Sequence, residues 1–321
     1  MDASLSRVAV TGAGGFIGAA VCRRLAGEGV EVAGLDLPGT EERVRATGAG
    51  FAACDVTDAP AVAQALRGVP HVVHTAAIVS DWGPMDAFVR VNVDGTRNVL
   101  DAARDAERVV HVSSVAIWGH DFDHDVHEDS EPRPSGDPYV DTKGASDVLA
   151  RTRGATVVRP GDVYGPGSTP WAIRPLAGLR SRRLAVPPRG VMTPVYIDDL
   201  VELIRLALVH PDAAGRAFVG WEGPPVAVRD FFDRYARMAG RRRAPVLPLP
   251  VLKVAAAADE GLARLRGRAP TATRWAVSYL ARTAAYRASR AQEVLGWRPR
   301  VGLDEGMRRT EAWARAEGLL D

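Results

Sequence analysis

A chain of 321 residues can bury a large core and carry a second lobe beside it. Its 41 Lys plus Arg against 39 Asp plus Glu leave a net charge of +2, too weak a field to argue for nucleic acid or an anionic membrane, so a small molecule is the expected partner. A hydrophobic share of 46% with 25% charged residues is ordinary globular composition and excludes a disordered chain.

The segment from Met1 to Arg7 leads almost directly into a short apolar run, 7–11, and leaves no room for a signal peptide. A Gly-rich turn follows, then helical apolar spacing from Phe16 to Glu28. Buried strands are expected at 30–36, 51–55, 69–74 and 109–113, with helices at about 58–67 and 85–106 between them, and a sixth strand at 156–160. This alternation predicts an α/β fold with a doubly wound, Rossmann-type parallel sheet. After Gly165 the rhythm breaks on Pro166, Pro170, Pro175, Pro187 and Pro188, and helices are expected near 198–209, 228–239 and 253–265. Residues 1–165 therefore read as the dinucleotide-binding domain. Residues 166–321 read mainly as a smaller α/β substrate lobe, with returns to the first domain at 191–209 and 216–220. Cys22 and Cys54 show no pairing pattern, which fits a reduced cytoplasmic setting. The longest apolar tract near the C-terminus, Val251 to Ala258, contains Lys253 and is far short of the ~20 residues a bilayer span needs.

Gly12, Gly15 and Gly18 fall between strand and helix, where absent side chains let the backbone approach a pyrophosphate and a helix N-terminus offers unpaired N–H groups. Asp36 ends the next strand, where an acid binds ribose hydroxyls and repels a 2′-phosphate. NAD is thus favoured, while Arg43 and Arg45 keep NADP open. Asp55 and Val56 are placed to grip adenine, and Thr75, Ala76 and Ala77 are small enough to let a cofactor lie close. Asn92, inside the long helix, reads equally as a brace for the active-site backbone and as a satisfied core residue. Tyr139 and Lys143 are four apart, so on a helix they serve one small volume, and an adjacent ammonium draws a phenol of pKa about 10 towards working pH. Ser114, from another segment, can hold a reacting oxygen. His120, His124 and His127 alternate with Asp121, Asp123 and Asp125, but the spacing fits no standard metal site, and a polar loop is expected. Trp82 reads equally as a pocket residue and as packing.

Together Thr11-Gly-x-x-Gly-x-x-Gly18, Asp36, Asp55-Val56, Thr75-Ala-Ala77, Asn92-Val-Asp-Gly-Thr96, Ser113-Ser114, Tyr139-x-x-x-Lys143, Arg159-Pro-x-x-Val163-Tyr-Gly-Pro166 and Val195-Tyr-Ile-Asp-Asp-Leu200 resemble the extended short-chain dehydrogenases/reductases, the NAD-dependent epimerase/dehydratase group. The resemblance covers nearly the whole chain. It implies Ser114, Tyr139 and Lys143 as the catalytic set. Gly12, Gly15, Phe16, Ile17 and Gly18, with Asp36, Asp55, Val56, Thr75, Ala76, Ala77, Asn92, Tyr139, Lys143, Pro160 and Val163, would contact the cofactor, and Trp82, Trp118 and Tyr164 the substrate. Dehydratases of the group place an Asp-Glu pair after the catalytic hydroxyl residue, whereas Val115-Ala116 follows Ser114 here, so dehydration is not expected. The segment from Leu247 to Thr273 is more similar to the 3β-hydroxysteroid dehydrogenase-like branch. The expected activity is NAD-dependent oxidoreduction of a secondary alcohol or ketone on a largely apolar, sterol-like or β-hydroxy acid-like substrate, and the alternative is a nucleotide-sugar 4-epimerase. By the same resemblance a homodimer pairs the helices around 86–104 and 139–152.

Overall fold

Strand β1 (Arg7–Thr11) has four buried residues in succession after Arg7, the pattern of a strand covered on both faces. The computed structural model describes residues 5–120, 122, 126–221, 223–283 and 285–320. From β1 the chain winds through α1 (Phe16–Gly27), β2 (Glu31–Asp36), α2 (Glu41–Arg45), β3 (Gly50–Ala53), α3 (Ala59–Ala65) and β4 (His71–His74). It continues as α4 (Met85–Phe88), a π-helical stretch (Val89–Asp94) and α5 (Gly95–Ala102), then β5 (Arg108–Val112), α6 (Pro138–Thr152), β6 (Thr156–Pro160) and β7 (Asp162–Tyr164). The second half holds α7 (Arg174–Arg180), β8 (Val191–Met192), β9 (Pro194–Tyr196), α8 (Ile197–Val209), β10 (Ala217–Gly220), β11 (Val226–Ala227), α9 (Val228–Met238), α10 (Leu249–Leu265), α11 (Arg274–Leu280), α12 (Arg290–Leu295) and α13 (Leu303–Ala316).

Seven strands form one parallel sheet in the order β10-β6-β5-β4-β1-β2-β3. Helices α1 and α8 pack together on one face, and α3, α5 and α6 are neighbours on the other. The strand order reverses between β1 and β4, where Thr11 lies in register with His74, and ligands bind outside the carboxyl ends of such a switch point. The Gly-rich turn and the Thr75-Ala76-Ala77 segment leave the sheet there.

Residues 191–197, the start of the expected return to the first domain, do not join its sheet. Val191–Met192 pairs with β11 and Pro194–Tyr196 with β7, forming two small sheets apart from the seven-stranded one. Thr193 between them is fully buried, its backbone N–H donating to the Asp162 carboxylate at 2.8 Å. Helix α10 begins at Leu249 rather than 253, because Pro250 sits in its first turn, where a proline's missing N–H has no helical partner to lose.

Candidate active site

Helix α6 is started by Asp137, whose carboxylate accepts from the N–H groups of Tyr139 and Val140 at 3.0 and 3.1 Å, and Pro138 occupies its first turn. That cap sets the rotation of the next turn, so Tyr139 and Lys143 share a face below the carboxyl end of β5. The Tyr139 phenol is hydrogen-bonded to the Ser114 hydroxyl, which also accepts from the Ala116 N–H at 3.1 Å. Lys143 is buried and its Nζ donates to the Val112 carbonyl at 2.7 Å. Burial pushes the Lys143 ammonium down to about 8, with Asp147 one turn later opposing the shift. For Tyr139, burial pushes the phenol above its ordinary value, the Ser114 hydrogen bond opposes this, and Asp137 adds to it. Desolvation is the larger influence on the phenol here, and the Lys143 ammonium donates to Val112 O.

Asp147 anchors this face from below. Its fully buried carboxylate takes a two-pronged contact from the fully buried Arg159, Nε at 2.8 Å and Nη2 at 2.7 Å, and a third bond from Arg151 at 3.0 Å. Arg159 comes from β6 and also lies over the Trp118 ring at 5.0 Å. Trp118 is consequently packed in the core, its indole N–H donating to Ser130 O at 3.0 Å. The expected pocket role of Trp118 is corrected by this packing. Tyr164 is corrected likewise: it is wholly buried against Tyr196 and Phe231 and fills the space a Cβ on Gly306 would need. Trp82 stays half-buried, with the Arg264 guanidinium 4.9 Å from its ring.

The Gly-rich turn meets the requirements of a pyrophosphate cradle. Gly12 has a φ of +69° and approaches Ala76 so closely that a Cβ would lie 2.8 Å from Ala76 Cα. A Cβ on Gly18 would lie 2.1 Å from Gly12 O. Gly15 precedes α1, so the N–H groups of Phe16, Ile17 and Gly18 have no carbonyl one turn earlier to bond and face the crevice end of the helix. Asp36 accepts from the N–H groups of Gly14 and Leu37, both at 2.7 Å, which fixes its carboxylate at the rim of the turn. These residues fit a dinucleotide whose ribose hydroxyls meet a carboxylate. Thr75 Oγ1 donates to Thr11 O at 2.7 Å and ties this segment to β1. Asp55 is exposed beyond β3 and Val56 is buried beneath Gly95. Pro160 is buried at the end of β6 and Val163 in the middle of β7.

Asn92 lies in the π-helical stretch, a form that recurs at functional sites. Its amide is fully occupied: Oδ1 accepts from Ile78 N–H, and Nδ2 donates to Ile78 O and to Thr142 Oγ1. It braces the loop after β4 against α6, so the expected cofactor contact is replaced by a positioning one. Asp121, Asp123, His124 and Asp125 lie outside the described residues, while His120 meets Trp275 edge-on.

Three aromatic residues at the site escaped the sequence reading. Trp275 stacks on Tyr279 with centroids 4.9 Å apart, and Trp171 lies 6.3 Å from Tyr279. Together with Tyr139 they surround the buried Ala116 and Val140. Trp275 and Tyr279 are four apart on one helix, the one signal that could have joined them. The Tyr279 hydroxyl donates to Asp162 at 3.0 Å, and the same carboxylate takes Arg282 at 2.6 Å. Beneath the site His74 is held between Thr11 and Thr96 and packs on His111. Burial pushes His74 down to about 3 and His111 well below its ordinary value, so both rings are neutral.

Residues 8–219 match the family described as NAD dependent epimerase/dehydratase. The chain is 30% identical to a 2-alkyl-3-oxoalkanoate reductase of Stenotrophomonas maltophilia (strain K279a), over 97% of this chain and all of that protein. It is also 30% identical to a UDP-glucose 4-epimerase of Mycolicibacterium smegmatis, over 96% of this chain and 98% of that one. Among solved structures, MoeE5 in complex with UDP-glucose and NAD superposes with a TM-score of 0.75 at 25% identity, covering 97% of this chain and 99% of that one.

Proposed function

Because the chain belongs to the NAD-dependent epimerase/dehydratase family, and is an NAD-dependent enzyme of the extended short-chain dehydrogenase/reductase type, we propose that it interconverts a secondary alcohol and a ketone on a largely apolar substrate. NAD, when bound in the glycine cradle, supplies or accepts the hydride. Ser114 holds the substrate oxygen. In reduction the Tyr139 hydroxyl gives its proton to the carbonyl oxygen as the carbon receives the hydride, and in oxidation the proton returns by the same path. Lys143, fixed by Val112 O, keeps a positive charge beneath the phenol and anchors the nicotinamide ribose. Asp36 selects NAD by its charge, and Asp147 with Arg159 holds α6 in register with β6.

The observation that carries the apolar reading is the aromatic cluster of Trp171, Trp275 and Tyr279 packed beside Tyr139. The guanidinium on that cluster, Arg282, lies 3.8 Å from the Tyr279 ring but is bound by the buried Asp162, so it is unavailable to a diphosphate. Similarity to a 2-alkyl-3-oxoalkanoate reductase supports a 3-oxo acid carrying alkyl chains. A second reading, a nucleotide-sugar 4-epimerase, is favoured by the equal identity to a UDP-glucose 4-epimerase. Assays of the purified chain with NADH or NAD and 2-alkyl-3-oxo acids, 3-ketosterols and UDP-glucose separate the two. Net change in nicotinamide absorbance with an apolar ketone is expected. Isomerised UDP-sugar without net absorbance change would replace that reading with the second.

The exposed Met85, Val89 and Val148 on α4, the π-helical stretch and α6 support a homodimer through these helices. Light scattering of Val148→Arg should then give a monomer where the unmodified chain gives a dimer.

A further inference from the structure

We propose that helix α10 lies on an anionic lipid surface, with the side of the helix facing away from the protein buried among the lipids. Leu249, Leu252, Ala256, Glu260 and Ala263 follow helical spacing and face inward, where Leu252 and Ala256 pack on Val277 of α11. Two residues along, Val251, Val254, Ala258, Leu262 and Leu265 repeat that spacing, which at about 100° per residue puts them on the far side of the helix. All five are exposed, Val254 at 71% and Leu265 at 86%. The neighbouring Val246 and Leu247 are exposed too, so among the described residues six of the eleven large exposed hydrophobic side chains fall within 246–265. A helix apolar on two opposite faces has only one of them covered by its own fold.

Charge identifies the cover. Residues 241–268 carry seven Lys and Arg against Asp259 and Glu260, a net +5, which leaves 34 against 37, or −3, on the rest of the chain. The overall +2 therefore conceals a basic segment centred on the apolar stripe. Its two acids are engaged: Asp259 binds Arg268 and the Thr271 N–H, and Glu260 binds Arg274. Lys253, Arg242, Arg243, Arg264 and Arg266 are exposed. Apolar side chains beside exposed Lys and Arg are the composition of a helix lying in a lipid headgroup layer. A second copy of this chain is the poorer occupant, since a two-fold contact would set each basic segment against its twin. Among the described residues no helix is long and apolar enough to cross a membrane, so α10 would lie on the surface. Attachment there does not depend on which alcohol or ketone Tyr139 meets.

Co-sedimentation of the full chain with vesicles tests this, using phosphatidylcholine alone or mixed equally with phosphatidylglycerol. Retention on the mixed vesicles is expected, weakened by salt, and lowered on the order of tenfold or more by Val254→Asp with Leu265→Asp, while thermal unfolding and NAD binding stay unchanged. Arg242→Gln, Arg243→Gln and Arg266→Gln together should abolish the preference for the anionic vesicles. Absence of retention, or equal retention of the Asp variant, would overturn the proposal. So would light scattering in which that variant splits a larger species and neither form binds vesicles, because a second copy would then cover the face.

Discussion

In the proposed mechanism Tyr139 acts from a place where its own burial opposes ionisation and Ser114 supplies an opposing hydrogen bond. The phenol is therefore a proton donor at neutral pH, and the direction of transfer is set by the oxygen it meets. Tyr139→Phe keeps the ring and its packing but removes the proton, so kcat should fall by about 10²–10⁴-fold while NAD binding, followed by calorimetry, remains within a few-fold. A near-normal rate would sink the assignment. The proposed set of Ser114, Tyr139 and Lys143 could be picked out in the sequence because such a set needs particular side-chain chemistry at fixed spacing. Trp171, Trp275 and Tyr279 could not, because aromatic residues carry no spacing rule that separates a pocket wall from ordinary packing. Trp118 shows the same ambiguity in reverse: the family resemblance implied a substrate contact, and in the fold it packs in the core beneath Arg159.

At the scale of elements, the turn between β1 and α1 works through close backbone approach. Gly18→Ala would drive a Cβ to 2.1 Å from Gly12 O, forcing the turn open, and NAD affinity should drop by about tenfold or more by calorimetry. Gly27→Ala in the same helix meets nothing within 4 Å and should instead be neutral or stabilising by up to about 1 kcal/mol in urea unfolding. Most of the strand-helix alternation up to β6 was readable because its strands are short apolar runs and its longer helices show a 3.6-residue period; the short α2 was not expected, and β3, expected to be buried, is an exposed edge strand. Residues 191–197 were expected to return to the first domain, but Thr193 is drawn to Asp162, and its neighbours pair on either side in separate sheets. Local sequence carries no record of a partner thirty residues away.

For the whole molecule, the neutral pair His74 and His111 ties acid stability to the centre of the sheet. Their folded values lie below the ordinary 6.5, so the unfolded chain binds the extra protons as pH falls. Stability is full above pH 6.5 and is lost progressively on the way down towards about 3, with a loss of several kcal/mol. Urea midpoints measured from pH 7 downward should show this decline, and His74→Asn should make it shallower. The sequence by itself determined the α/β sheet and the family, and it singled out Ser114, Tyr139 and Lys143 for the proposed chemistry, since each rests on residue type and short-range spacing. Only the tertiary structure decided what surrounds Tyr139, which acid neutralises Arg282, and which face of α10 is left without cover. Those depend on side chains brought together from distant segments, where burial and partner, not residue identity, fix what a group can do.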